Sequence, residues 1–228
     1  MNVGAIIQAR TSSKRYPKKV LRTIAGKPLL LYILERLKHC DFLSSVIIAT
    51  STDESDDPIE QFALNHNVEC FRGDLDNVVS RFIGVLVQYD LDVFVRVNAD
   101  SPLIDPALIN GALAKYQDGD YDIVTNTLER SYPKGQSVEI INAKTFKREY
   151  KKITCKSDLE HVTSFFYKHH NNYRIYNFKY ERNCSHIQLS IDTEQDAKIL
   201  NTIINKMNKP HWEYGVAEII DMYQKVSH

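Results

Sequence analysis

Four cysteines in 228 residues, at positions 40, 70, 155 and 184, leave no closely spaced pair. That spacing excludes a paired-cysteine zinc site and a disulfide framework of the secreted kind, and small buried hydrophobe is the ordinary role for such thiols. Net charge is missing too. Lysine plus arginine and aspartate plus glutamate number 29 each, so no global field marks a nucleic-acid-coating or membrane-surface protein, and any electrostatic recognition has to be local. Long apolar runs are equally scarce: the first, residues 3–7, is too short for a signal-peptide core or a membrane span, and Arg10 follows it at once. A cytoplasmic protein, with neither nucleic acid nor membrane as partner, is expected. Internal repeats, low-complexity tracts and linkers are also lacking, which favours one unit over residues 1–228.

What is present is ordinary globular usage, 43% hydrophobic and 25% charged, enough to bury a real core. Short β-rich runs at 3–7, 46–49, 68–71 and 93–97 alternate with helical patterns. The helices start at Pro28, with Leu30, Ile33, Leu34 and Leu37 in step, and continue at 57–64, 78–89 and 106–116. Alternation of this kind predicts an α/β fold with a mostly parallel sheet covered on both faces. The second half reads as an extension of that sheet, with strands at 138–141, 174–178 and 187–191 and helices at 159–168 and 194–207. In the last helix, within 213–226, Val216, Ile219, Ile220, Tyr223 and Val226 form a stripe that packs either on this chain or on a dimer partner.

In an open parallel sheet, ligands bind beyond the carboxyl ends of the strands. The segment leaving the first strand, Gln8 to Leu21, reads QARTSSKRYPKKVL and carries Arg10, Lys14, Arg15, Lys18 and Lys19 among the hydroxyls of Thr11, Ser12 and Ser13. Guanidinium forks, ammonium groups, hydroxyls and free backbone amides together suit a triphosphate. Composition alone allows a solvated surface loop equally well. The segment is neither a glycine-rich P-loop nor a dinucleotide fingerprint.

The run AIIQAR, then SKRYPKKVL, then AGKPL resembles the opening of the cytidylyltransferases that make CMP-activated acidic sugars, most nearly the spore-coat polysaccharide SpsF-like branch, relatives of the CMP-KDO and CMP-sialate synthetases. The resemblance implies a nucleotide-diphospho-sugar transferase fold (GT-A, Rossmann-like), CTP as donor, an acidic sugar or similar acceptor, a role in surface polysaccharide or glycoconjugate synthesis, and a homodimer. It also implies a catalytic set of Arg10, Arg15 and Lys19 on the phosphates, and a nucleotide site made of these with Gln8, Ala9, Thr11, Ser12, Arg81, Asn98 and Asp100. Lys18 stands where the family usually has glycine, which leaves the bend of the loop open.

Cleavage at the α-phosphorus builds charge on pyrophosphate, so Mg²⁺ held by carboxylates is the expected cofactor. Asp100, in RVNADSPLIDP, and Asp192, in LSIDTEQD, follow apolar strands and qualify by position. Helix capping is the competing role for each. The resemblance assigns both to the metal, because the family has Ala-Asp before Pro-Leu-Ile-Asp-Pro and a late Asp-Thr-x-x-Asp.

RGDLDNVVSRF with Arg81, YPKGQSVEII with Glu139 and DLEHVTSFF with Glu160 and His161 extend the resemblance to about residue 200. Glu139, Glu160 and His161 are the expected acceptor contacts, and histidine titrates in the range a base needs. Ser137 replaces the family's usual aspartate and Leu159 its usual arginine, which weakens the case for the standard sugar acid; the acceptor itself stays open among a nonulosonic acid, a KDO-like acid and a phosphonate. Two alternatives remain. A glycosyltransferase of this fold would use an Asp-x-Asp pair, where the chain has Asn98, Ala99 and Asp100; a member that binds nucleotide without turnover would draw on the changes at 18, 137 and 159.

Overall fold

A computed structural model describes residues 1–13 and 15–226. Lys14, one of the five cations expected at the loop, lies outside the described residues. The chain opens with β1 (Val3–Gln8), a long loop, and a two-residue hairpin, β2 (Thr23–Ile24) with β3 (Lys27–Pro28), that leads into α1 (Leu29–Leu37). Then follow β4 (Ser45–Ser51), α2 (Asp57–Asn65), β5 (Glu69–Gly73), α3 (Val78–Gln88), β6 (Val93–Asn98) and α4 (Pro106–Gln117). The second half holds β7 (Ile123–Thr125), β8 (Glu139–Asn142), α5 (Ala143–Glu149), α6 (Lys156–Glu160), α7 (Ser164–Lys168), β9 (Ile175–Asn177), α8 (Glu194–Asn205) and α9 (Val216–Val226).

The seven-stranded sheet runs β5-β4-β1-β6-β8-β7-β9. Its first four strands are mutually parallel, β8 is antiparallel to both neighbours, and β9 is parallel to β7. This is the mostly parallel mixed α/β sheet the alternating pattern calls for. Period-two alternation divides the core. Ala5 and Ile7 of β1, with Val93, Val95 and Val97 of β6, meet α1, α2 and α4 on one face, while Ile6, Phe94 and Ile141 meet α3, α5 and Phe166 on the other.

The sequence expectations fail in two places, and both failures shape the site. The helix expected over 159–168 is interrupted: α6 ends at Glu160, His161 leaves the helical region (φ −104°, ψ 84°), and α7 begins at Ser164. Val162 is pulled fully into the core at that point. The strand expected over 187–191 is a lone extended segment. It is pinned by Lys134 N to Ile187 O at 3.0 Å, Leu189 N to Lys134 O at 2.8 Å and Ile191 N to Asp100 O at 2.8 Å, and it forms only an isolated bridge. Gly135 makes this docking possible: its φ is +93°, and a Cβ there would sit 2.5 Å from the Leu189 carbonyl carbon.

The apolar stripe of α9 is covered within the chain, with Val216, Ile219 and Ile220 buried and Met222, Tyr223 and Val226 against the same core. All four cysteines are free; Cys40 and Cys184 are buried, Cys70 is half-buried and Cys155 is exposed. Among the described residues no helix is long and apolar enough to cross a membrane.

Candidate active site

β1 and β6 are paired in register through Gln8 and Asn98, and both end at one rim of the sheet. The loops that leave them, the segment ending at Asp192 and the break after α6 enclose a cleft of about 770 Å³.

The basic loop is anchored from beneath. Thr11 is buried; its amide donates to Asp56 Oδ1 at 2.7 Å and its hydroxyl reaches the same oxygen at 2.8 Å. Ser51 donates its amide and hydroxyl to the other oxygen. Burial drives the Asp56 pKa up, but these bonds outweigh it and leave the carboxyl below the usual range. The Thr11 carbonyl accepts from Ser13 N at 2.8 Å and Lys18 N at 3.0 Å, so the loop folds back on itself. Lys18 sits in the left-handed region at φ 56°, ψ 22°. That conformation is the one glycine adopts at least cost, so the loop bends as a glycine at this position would let it, and lysine carries the strain.

Each described cation that faces the cleft meets a carboxylate across it. Arg10 Nη2 lies 3.0 Å from Glu160 Oε1 and Arg15 Nη2 lies 3.0 Å from Asp192 Oδ1. Lys19 is the most enclosed, its side chain 12% exposed. Its ammonium donates to Asp100 Oδ2 at 2.8 Å, Ile191 O at 2.8 Å and Asp192 Oδ1 at 3.2 Å. The bond from Ile191 N to the Asp100 carbonyl is what sets the two aspartates side by side.

Two carboxylates from separate segments thus converge on one point at the rim. No cluster of three or more potential ligands forms among the described residues. Such a donor pair fits Mg²⁺, which is commonly held by one or two carboxylates and completes its octahedron with phosphate oxygens and water.

Gln8, Ser12, Asn98, Glu160 and His161 line the cleft as expected. The structure does not bring three other candidates into it. Ala9 and Thr11 are buried, and Thr11 serves as the anchor just described. Arg81, 1% exposed, donates to the carbonyls of Asp74 at 2.6 Å and Leu75 at 3.0 Å. It reaches the cleft only by fixing the loop whose Leu75 and Asp76 form one wall.

Glu139 is placed differently again. It lines a second pocket of about 240 Å³, with Arg96, Arg130 and Tyr167, that shares Asn98 with the cleft. Arg96 and Glu139 face each other across β6 and β8, with Arg96 Nη1 at 2.6 Å from Oε2, and the Tyr167 hydroxyl donates to Oε1 at 2.6 Å. Burial raises the Glu139 pKa, yet the Arg96 charge and the Tyr167 bond win and hold it below the usual range. Burial beside that carboxylate pushes Tyr167 well above its ordinary value, so the phenol stays a donor. Arg96 also donates to Gln8 Oε1 at 3.2 Å, which ties the pocket to the cleft.

Sequence reasoning passes over Arg96, Arg130, Tyr167 and Asp56. An arginine inside the apolar strand VFVRVN was the available signal for one of them. Leu159, where an arginine was looked for, is half-buried and faces a different hollow beside Asp74, Asn77 and Lys156, so its change leaves the second pocket's charge intact.

Comparisons with known proteins bear on the fold and the family. The chain is 29% identical over 211 residues to the spore coat polysaccharide biosynthesis protein SpsF of Bacillus subtilis, covering 88% of this chain and 85% of that one. A solved cytidylyltransferase from Leptospira borgpetersenii superposes with a TM-score of 0.93 at 27% identity, covering 99% of this chain and 94% of the other. A CMP:2-keto-3-deoxy-manno-octonic acid synthetase solved in complex with CTP shares the fold, with a TM-score of 0.71 at 16% identity and coverage of 90% and 99%. The sequence model of the cytidylyltransferase family matches residues 4–225, and the chain belongs to that family.

Proposed function

We propose that the cleft binds CTP and transfers its CMP moiety to a hydroxyl of an acidic sugar or related acceptor, releasing pyrophosphate. The observation that carries this reading is the Lys19 ammonium held between Asp100 and Asp192 at the strand-end rim, with Arg10 and Arg15 paired to carboxylates across the same cleft. A triphosphate offers these cations stronger, multiply charged partners, so binding exchanges ion pairs within the cleft for contacts to phosphate. The acceptor oxygen forms a bond to the α-phosphorus as the bond to the β-phosphate oxygen breaks. Arg10, Arg15 and Lys19 stabilise the charge that gathers on the departing pyrophosphate. Asp100 and Asp192 would hold Mg²⁺, which when bound supplies Lewis-acid neutralisation of phosphate oxygens. Glu160 and His161, at the rim, face the acceptor, and the exposed imidazole takes up the hydroxyl proton.

The relatives support this donor and this class of acceptor: one is a polysaccharide biosynthesis protein and one was solved with CTP. A place in surface polysaccharide or glycoconjugate synthesis follows from the same reading. Pyrophosphate release from each of the four nucleoside triphosphates, across a panel of sugar acids and with Mg²⁺ present, tests it. CTP-selective, acceptor-dependent release is expected. Release from a supplied nucleotide-sugar instead would make the protein a glycosyltransferase.

A further inference from the structure

The connector between α8 and α9, residues 206–215, is held to α1 by a cluster of charges that closes on one histidine. His211 is 7% exposed. Its Nε2 lies 2.7 Å from Glu35 Oε2, and an ionised carboxylate only accepts, so Nε2 carries the proton of the neutral ring. Nδ1 is then a bare acceptor, buried with no hydrogen-bond partner. A second proton has to sit on Nδ1, where no acceptor meets it, and makes a cation in a desolvated place.

The surrounding groups give that cation little support. From β3, Lys27 donates to both oxygens of Glu35, at 2.9 and 2.8 Å, so the carboxylate beside the ring is already shared. From α1, buried Arg36 donates to the His211 carbonyl at 2.5 Å, a like charge drawn up to the same residue, with Asp105 and Cys40 acting on Arg36 in turn. Tyr32 meets the imidazole edge to face at 4.8 Å, its hydroxyl donating to the Ile24 carbonyl. Trp212 packs edge to face at 5.0 Å and is itself stacked on His39. Burial lowers the His211 pKa, with Glu35 opposing and Arg36 adding to the fall. Burial raises that of Glu35, but the bonds from Lys27 and His211 hold it below the usual range.

We infer that His211 is a pH-sensitive latch on α9: the neutral imidazole fastens the connector to α1, and its protonation lets connector and α9 lift away while the sheet stays folded. α9 buries Val216, Ile219 and Ile220 and packs against α8, so its hold on α1 leans on the polar clamp at its approach. That approach also braces the loop that carries Asp100. Arg36 donates to the Ile104 carbonyl at 3.3 Å, and the Val216 amide donates to Asp105 Oδ2 at 2.8 Å. A histidine whose folded pKa lies below the unfolded value of about 6.5 contributes its full stabilisation above that value and loses it as pH falls below. The latch is therefore shut at neutral pH and opens on acidification. His211, Glu35, Lys27 and Arg36 do not line the cleft, and the latch holds whether or not the cleft takes a nucleotide.

The test is hydrogen exchange of the full chain, read peptide by peptide at pH 7.5 and pH 5.0 after correction for the intrinsic exchange rate. Opening of residues 206–226 is expected to rise about tenfold at the lower pH, with little change in β1 and β6. In His211→Gln, whose side-chain amide keeps a donor for Glu35 and takes up no proton, no comparable rise is expected. Followed by NMR in the unaltered protein, the His211 imidazole is expected to titrate below about 6.5. Opening of 206–226 that does not change with pH, an equal rise in β1 and β6, or the same rise in His211→Gln overturns the latch. A His211 pKa at or above its ordinary value also overturns it, even if the variant fails to fold.

Discussion

Replacing Arg36 with methionine removes a fork while keeping an apolar stem of similar reach, and the cost follows from the hydrogen bonds that disappear with the guanidinium. Arg36 is fully buried on α1. Its two terminal nitrogens donate to the carbonyls of Ile104 at 3.3 Å, His211 at 2.5 Å and Tyr214 at 2.7 Å, clamping the start of α4 and the approach to α9 onto α1. Burial draws its pKa down to about 10, against the raising influence of Asp105, so the charge itself is held at a cost. Each carbonyl left without this donor loses about 1–3 kcal/mol. Relief of the buried charge, which can make hydrophobic replacements neutral or favourable, offsets part of that. A net loss of about 2–4 kcal/mol is expected. With a urea m-value near the upper end of about 1–3 kcal/mol/M for small proteins, the midpoint should fall by about 1 M with its slope unchanged. A midpoint equal to or above that of the unaltered protein would show that the three carbonyls find other donors and that the clamp contributes nothing.

The pKa shift at Asp56 fixes the sign of a second effect. Its folded value lies below the unfolded one, near ~3.9, so its stabilisation is complete above the unfolded pKa and is lost as pH falls through the folded one. Asp56→Asn should therefore cost about 1.5–3 kcal/mol at pH 7, and the gap in melting stability should close on acidification; a constant gap down to pH 2 would refute the assignment. At Lys18, glycine relieves about 1–2 kcal/mol of left-handed strain against roughly 0.5–1 kcal/mol of added chain freedom. Lys18→Gly should therefore match or slightly exceed the unaltered protein in thermal melts, while Lys18→Val should fall below it. A clear loss in Lys18→Gly would contradict the turn.

How much of this was legible in the sequence depends on where the information is stored. β1, β4 and β6 and helices α1, α3 and α4 are written in local periodicity, because each buries its apolar residues against a neighbouring layer. The break at 161–163 is not local: it is set by Val162 turning into the core. Nor is the segment 187–191, whose three pinning bonds come from Lys134 and Asp100. The site divides along the same line. The basic loop and Asp100 stand just beyond strand ends, where position makes them candidates and the family resemblance decides against a solvated loop and a helix cap. Thr11 and Arg81 resemble ligand contacts in sequence, but Thr11 and the Nε and Nη2 of Arg81 donate inside the protein. Arg96 and Glu139 become a pair only through the register of β6 against β8, which no residue type discloses.

Everything proposed for the cleft depends on the Lys19 ammonium acting as a ligand for the donor's phosphates. Calorimetric titration of CTP in the presence of Mg²⁺, into the unaltered protein and into Lys19→Met, measures this directly. Saturable one-site binding is predicted for the unaltered protein, with a loss of about tenfold or more in the variant, the ~1.4 kcal/mol minimum for a charge-assisted bond. No CTP binding to the unaltered protein, or equal affinity in Lys19→Met, would contradict it.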